Sequence, residues 1–208
     1  MSGYFVPAGA GEAEYDEKRS RFLGHVRPAA DEDEARAFIA EMKKEYYDAR
    51  HNCWCYIIKD GPERYSDDSE PQGTAGIPML EVFRRQGVVN SVCVVTRYFG
   101  GVLLGAGGLL RAYTKAAADA LEAAGIARMD RWTVLEIPCP YALLERIKNE
   151  TAAFGGAVED VQYGQTASVR ALLPEERAGE FAARLLDLSA GSVSCAEAGV
   201  RERAVRVG

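Results

Sequence analysis

No apolar run in this 208-residue chain approaches the roughly 18–20 positions needed to cross a bilayer, which excludes a membrane-spanning helix. The opening Met1-Ser2-Gly3-Tyr4-Phe5-Val6-Pro7 has neither a basic leader nor an apolar core, so no secretory signal and a cytoplasmic location are expected. Cysteine pairing is also missing: Cys53, Cys55, Cys93, Cys139 and Cys195 are odd in number, lack Cys-x-x-Cys spacing and sit mostly in apolar runs. That pattern fits reduced, buried thiols better than a disulfide framework. Basic excess is absent, since 25 Lys+Arg face 31 Asp+Glu for a net charge of −6. A uniformly basic nucleic-acid coat is therefore excluded, and only a local patch is left to bind an anion. Repeats, low-complexity tracts and Pro/Ser-rich linkers are not found.

What is present is an ordinary globular composition, 48% hydrophobic and 27% charged, in a chain long enough for one large or two small domains. Residues 1–13 are small and aperiodic and are expected to be a loose end. Residues 14–28 read as one strand with a basic edge at Lys18, Arg19 and Arg21. Asp31 is an N-cap with Glu34 as its capping-box partner, and Ala35, Phe38, Ile39, Met42 and Tyr46 form the buried face of the helix that follows. Residues 53–59 read as a strand, 60–76 as turn-rich chain, and 74–85 as a helix with Pro78 near its first turn. Residues 88–99 form the most apolar strand, which predicts a central place in its sheet. A glycine cluster then leads into a helix from about Leu109 to Ala124, closed by Gly125.

Beyond residue 131 the pattern becomes strand 133–138, helix 141–154, hairpin 158–163 and 166–173, helix 175–188 and strand 192–198. This βαββαβ order is the split-βαβ, ferredoxin-like arrangement. The chain is thus expected to be α+β, with domains at 1–131 and 132–208.

Four clusters in the first domain carry chemistry. Asp48 to Cys53 brings His51, a base or, more often for a lone histidine, a structural hydrogen-bonding group. Asp67, Asp68 and Glu70 lie within four residues and need a neutralising partner, either arginine or Mg²⁺ held by oxygen, unless they are a solvated turn capping the next helix. Arg97 leaves the apolar strand between Thr96 and Tyr98-Phe99, where it suits a phosphate or a base. Gly100 to Gly108 form a glycine-dense entry to a helix, an anion site in principle or a means of tight packing. Neither GxGxxG nor a Walker A loop is complete there, so no nucleotide follows from the glycines. Between Glu81 and Asp119 no residue is acidic, while Arg84, Arg85, Arg97, Arg111 and Lys115 are basic, with Arg111 and Lys115 on one helix face. This segment favours an anionic partner such as RNA or an acidic protein surface.

His51-Asn52, the run Asp67-Asp68-Ser69-Glu70-Pro71-Gln72-Gly73-Thr74-Ala75-Gly76, and Thr96-Arg97-Tyr98-Phe99-Gly100-Gly101 through Arg111-Ala112-Tyr113 resemble the YigZ/IMPACT family, as does Lys18-Arg19-Ser20-Arg21-Phe22. The resemblance covers residues 4–125. Ser69 stands where the family usually has Gly, and Gln72 where it has Ser or Ala; Ser69 is expected to change the turn there. The resemblance implies a first domain similar to the second domain of a small-subunit ribosomal protein and the fourth domain of elongation factor G. The second domain would be similar to the fifth domain of that factor. It also implies a translation-linked role, since eukaryotic IMPACT proteins bind a ribosome-associated regulator and restrain an amino-acid-starvation kinase.

The expected function is therefore binding of RNA, the ribosome or a ribosome-associated protein, rather than catalysis. Its surface would comprise Arg97, Gly100, Gly101, Gly107, Gly108, Arg111 and Lys115, beside the family-motif residues His51, Asn52, Asp67, Asp68, Glu70, Pro71, Gly73, Thr74 and Gly76. No cofactor or metal ligand is assigned. The alternative is a Mg²⁺-dependent phosphoryl-transfer or hydrolytic enzyme using Asp67, Asp68 and Glu70. In a third reading the same aspartates and arginines brace the fold internally.

Overall fold

The computed structural model describes residues 3–207, a mixed α/β chain. Its contacts divide it into two units, residues 4–129 with 204–207, and residues 130–203.

In the first unit, β2 (Gly11–Glu17), β3 (Ser20–Pro28), β4 (His51–Ile57), β5 (Glu63–Ser66) and β6 (Ser91–Tyr98) form an antiparallel sheet in the order β2-β3-β6-β4-β5. As its apolar run predicts, β6 is central. Its Val92 and Val94 enter one core, while Cys93 and Val95 enter the other, which is why the run shows no polar alternation. On the first face lies α1 (Glu32–Glu45), with Ala35, Phe38, Ile39 and Met42 inward. Its cap forms as expected: Asp31 accepts from the Glu34 N–H at 2.9 Å, and the Glu34 carboxylate reaches back to the Ala30 N–H at 2.8 Å.

The opposite face carries α2 (Gly76–Arg85) and α3 (Gly105–Ala124). An alanine stripe on α3 lies almost in contact with the sheet backbone. A Cβ on Gly24 would stand 2.5 Å from the Ala116 carbonyl, and one on Gly11 would stand 2.2 Å from the Ala124 nitrogen. Tight helix-on-strand packing is thus the work of Gly11 and Gly24, not of the 100–108 cluster.

Four readings of this region are corrected. Residues 1–13 are not a loose end. β1 (Tyr4–Pro7) pairs with the start of β7 (Ile126–Cys139), Tyr4 against Met129 and Pro7 against Ile126, and β2 begins at Gly11. Residues 14–28 are not one strand but two, folded at Lys18-Arg19, where φ is 47° and 67°. Both residues lie in the left-handed region of a two-residue hairpin turn without the Asn-Gly that advertises one. Residues 63–66 form edge strand β5, paired with β4 across the short turn at Asp60-Gly61-Pro62; its largely exposed Glu-Arg-Tyr-Ser run has no apolar alternation to mark it as a strand. Finally, α3 starts at Gly105, so its glycines are helical rather than part of a preceding loop.

In the second unit, the latter part of β7 pairs antiparallel with β9 (Ala167–Pro174), and β9 with β8 (Ala157–Tyr163); β10 (Ala196–Arg206) pairs with β7. Helices α4 (Tyr141–Ala153) and α5 (Glu175–Leu188) pack Leu144, Ile147, Phe181 and Leu185 against Ile137, Val169 and Leu173. The element order is the βαββαβ read from the sequence, with the last strand starting four residues later and running to Arg206.

Candidate functional site

The polar residues of the first unit converge on the loop between β5 and α2. Asp67 organises it. One carboxylate oxygen accepts from the Ala75 and Gly76 N–H groups at 3.1 and 2.8 Å, and the other from the Gly73 N–H at 2.8 Å. Ala75, the residue at the cap position of α2, offers no side-chain acceptor. Asp67 therefore caps that helix from eight residues upstream, satisfying N–H groups at the positive end of its dipole. Thr74 closes the loop by donating to the Pro71 carbonyl at 2.6 Å. Asp68 accepts from the Asn52 N–H at 2.7 Å and from the Lys43 ammonium at 3.3 Å. Asn52 in turn accepts from the Thr96 hydroxyl at 2.7 Å, tying the loop to β6. Ser69 follows with φ 70°, a conformation that glycine adopts freely and serine at a cost.

Glu70 turns inward. It is 8% exposed, and one of its oxygens accepts from Arg97 Nη1 at 2.7 Å and from the Tyr113 hydroxyl at 2.8 Å. His51 Nε2 lies 3.8 Å from that oxygen, and His51 Nδ1 is 2.8 Å from the Asp68 carbonyl. The Tyr113 phenol is pushed far above its ordinary range, first by burial and then by the negative charge beside it. It therefore donates to Glu70 and does not itself ionise. Burial likewise holds the Cys53 thiol protonated, its Sγ 3.0 Å from the Asp67 carbonyl.

Above this cluster opens a cavity of about 380 Å³. Arg50, His51, Glu70 and Arg97 form its polar wall, and Pro71, Phe99, Leu103, Leu104 and Leu109 its apolar wall. The start of α3, Gly105 and Ala106, lies at its edge. That helix end has no side-chain cap and no acidic residue in its first turn, so its leading N–H groups and dipole are not neutralised locally. Leu103 is 85% exposed, and Phe99 and Leu110 stand out beside it.

The residues expected to bind an anion separate into two sets. Arg97 is not a surface cation: it is 5% exposed, ion-paired to Glu70 and covered by the Phe22 and Phe99 rings. Lys115 is spent on Asp119, one turn along α3. Arg111 is exposed and has no ion pair among the described residues. Gly100 is required by packing, because a Cβ there would stand 2.0 Å from the Arg19 carbonyl group. Gly101 has φ 84°, and Gly108 faces the Leu104 Cβ at 3.0 Å. Gly107 is the exception: it is helical and exposed, and a Cβ there would meet only the Arg111 guanidinium, at 3.6 Å.

The internal brace joins Glu70 to Arg97; Asp67 binds backbone N–H groups, and Asp68 a backbone N–H and the Lys43 ammonium. The three acidic side chains therefore diverge, and no cluster of three or more His, Cys, Asp or Glu side chains suited to a metal occurs among the described residues. Two contributions were missed by the binding set read from sequence. Arg50 lies over the Phe99 ring at 5.8 Å, and Lys18 and Arg19 crown the β2–β3 turn packed against Gly100. The signal for the second was present in the basic pair itself.

These features define a two-unit mixed α/β protein with its polar network concentrated in the first unit. Residues 18–121 match the family model of the Impact N-terminal domain, and residues 137–192 match that of a domain of unknown function, DUF1949. The chain is 35% identical over 193 residues to the IMPACT family member YvyE of Bacillus subtilis, covering 92% of this chain and 89% of that one. It is 34% identical over 197 residues to the IMPACT family member YigZ of Escherichia coli, covering 93% and 97%. The chain belongs to the IMPACT family. Similarity to Protein IMPACT of Rattus norvegicus, 31% over 105 residues, takes in 48% of this chain and 33% of that one. A solved crystal structure of a hypothetical protein, 33% identical, superimposes with a TM-score of 0.61 over 94% of this chain and 97% of the other. No helix among the described residues is long and apolar enough to cross a membrane.

Proposed function

We propose that this chain is a translation-linked binding protein whose first unit grips an anionic partner, RNA phosphate on or off the ribosome, at the start of α3. The observation that carries the reading is Gly107. A helical glycine costs about 0.5–1 kcal/mol relative to alanine, and neither backbone strain nor packing in the fold requires one at this position. Close approach of a partner to the helix surface accounts for it. The same unit carries four exposed cations with no ion pairs among the described residues, Arg111 one turn beyond Gly107, Arg50 on the wall of the cavity at the helix start, and Lys18-Arg19 on the turn packed against Gly100, beside an uncapped helix end. The exposed Phe99 and Leu103 add apolar contact area. The two left-handed residues at Lys18-Arg19 are of the strained kind that functional turns retain.

The reading takes 1–131 and 132–208 as the two domains, the first similar to the fourth and the second to the fifth domain of elongation factor G, acting in the cytoplasm. Its test is a salt series of binding to purified ribosomes and to mixed-sequence RNA, with the Arg50→Ala/Arg111→Ala variant beside wild type. Affinity should fall steeply with salt, and the variant should lose it along with about two counterions of salt slope. Salt-independent binding, or full binding by the variant, would refute the assignment.

A further inference from the structure

On the other face of the same sheet, α1 and the β4–β5 edge enclose a groove of about 360 Å³ that takes no part in the site above. Its floor is Trp54, half-buried, with Tyr56 beside it on β4, their rings 5.7 Å apart and inclined by only 6°. Its rim is basic: Arg36 and Lys43 project from α1, and Arg64 from β5, opposite Tyr56 in the strand register. Two carboxylates approach these cations, and each is shared with an inward donor. Glu32 pairs with Arg36 at 3.1 Å while accepting from the Tyr56 hydroxyl at 2.5 Å. Asp68 meets Lys43 while accepting from the Asn52 N–H. Arg64 makes no direct ion pair among the described residues, although the Glu32 carboxylate also feels its charge; its guanidinium donates to the neighbouring Glu63 carbonyl. The groove thus presents a flat aromatic stack under an incompletely neutralised cationic rim.

We propose that this groove is a base-stacking platform for single-stranded nucleic acid, with a base extending the Trp54–Tyr56 stack and its phosphates meeting Arg36, Lys43 and Arg64. A near-parallel aromatic pair offers a planar base a third layer, whereas an acidic peptide would use only the charges. Because Trp54 and Tyr56 face α1 while α3 lies on the opposite face, this platform is separable from the α3 surface and does not depend on it.

The test uses the full chain carrying Trp132→Phe, which leaves Trp54 as its only tryptophan. Titration with a 12-nucleotide oligo(A) RNA at low salt should quench Trp54 fluorescence. By anisotropy of the labelled strand, Trp54→Ala should weaken binding on the order of tenfold, as loss of one stacked base does, and Trp54→Phe should largely restore it. Arg50→Ala/Arg111→Ala should leave the quenching intact, so failure here is distinct from failure at α3. Should Trp54→Ala not fold, Arg36→Glu/Arg64→Glu at exposed positions should abolish quenching. The proposal is overturned by absence of quenching, by wild-type affinity in folded Trp54→Ala, by equal quenching with AMP alone (a mononucleotide pocket), or by equal binding of poly-glutamate (a charge-only surface).

Discussion

Replacing Glu70 by glutamine tests whether Arg97 braces the fold or meets a partner. The substitution keeps the shape and an acceptor for the Tyr113 hydroxyl but removes the charge facing a guanidinium that is 5% exposed. Breaking one side of a buried ion pair strands the other, at a cost of about 3–5 kcal/mol. Arg97 has little recourse, since its Nε is already buried without an acceptor and its Nη2 reaches only the Ser20 hydroxyl at 3.4 Å. Against a total stability of about 5–15 kcal/mol this is a large fraction. At about 2–4 °C per kcal/mol for a chain of this size, the midpoint should fall by about 6–20 °C. The assay is thermal and urea unfolding followed at Trp54. The double variant Glu70→Gln/Arg97→Met removes both charges and should recover at least half of the loss, because a buried pair is replaceable where a lone buried charge is not. When folded, it should also retain ribosome or RNA affinity. Destabilisation below about 1 kcal/mol in Glu70→Gln would refute the burial argument. Loss of binding in a stable double variant would return Arg97 to the contact surface.

Three further outcomes follow from particular residues. Gly107→Ala should raise stability by about 0.5–1 kcal/mol while weakening partner binding, measured by urea midpoint and by ribosome co-sedimentation; a variant improved or unchanged in both would remove the reason given for the glycine. Ser69→Gly should gain about 0.5 kcal/mol, the left-handed cost relieved less the added unfolded-chain entropy, and Ser69→Val should lose more than that; equal midpoints for all three would mean the turn is unstrained. The His25 imidazole is held below its ordinary value of 6.5, chiefly by burial and against the pull of Glu12 at 3.8 Å. The unfolded chain therefore binds the proton more readily, so stability is complete above about pH 6.5 and declines as pH falls toward the lowered folded value. Urea midpoints at pH 7.5, 6.5 and 5.5 should show this slope, and His25→Gln should flatten it.

What was legible in the sequence depended on how local the cause was. Capping, helical periodicity and the all-apolar β6 are set by neighbours within a turn or two, and Asp31, Phe38 and Val92–Val95 stand where their pattern put them. β1 was missed because its partner lies over a hundred residues away, and β5 because its four largely exposed residues lack the apolar alternation that marks a strand, although the Asp60-Gly61-Pro62 turn precedes them. The hairpin at Lys18-Arg19 was hidden because its left-handed positions carry long side chains in place of glycine or asparagine.

At the site, residue types were readable but their directions were not. An acidic loop and an acid-free basic segment announce that charges will meet. They do not announce that Asp67 faces amides while Glu70, three residues on, faces Arg97. That division changes the functional argument, because it spends the arginine that sequence made most conspicuous. In the proposed function, recognition falls to cations without such a partner among the described residues: Arg50 beside Phe99, Arg111 one turn beyond Gly107, and the Lys18-Arg19 tip. On that proposal the buried pair and the surface cations have separable tasks, one holding the loop beneath the cavity and the other meeting charge above it. Substitutions in the first group should move unfolding midpoints, and substitutions in the second should move salt-dependent affinity.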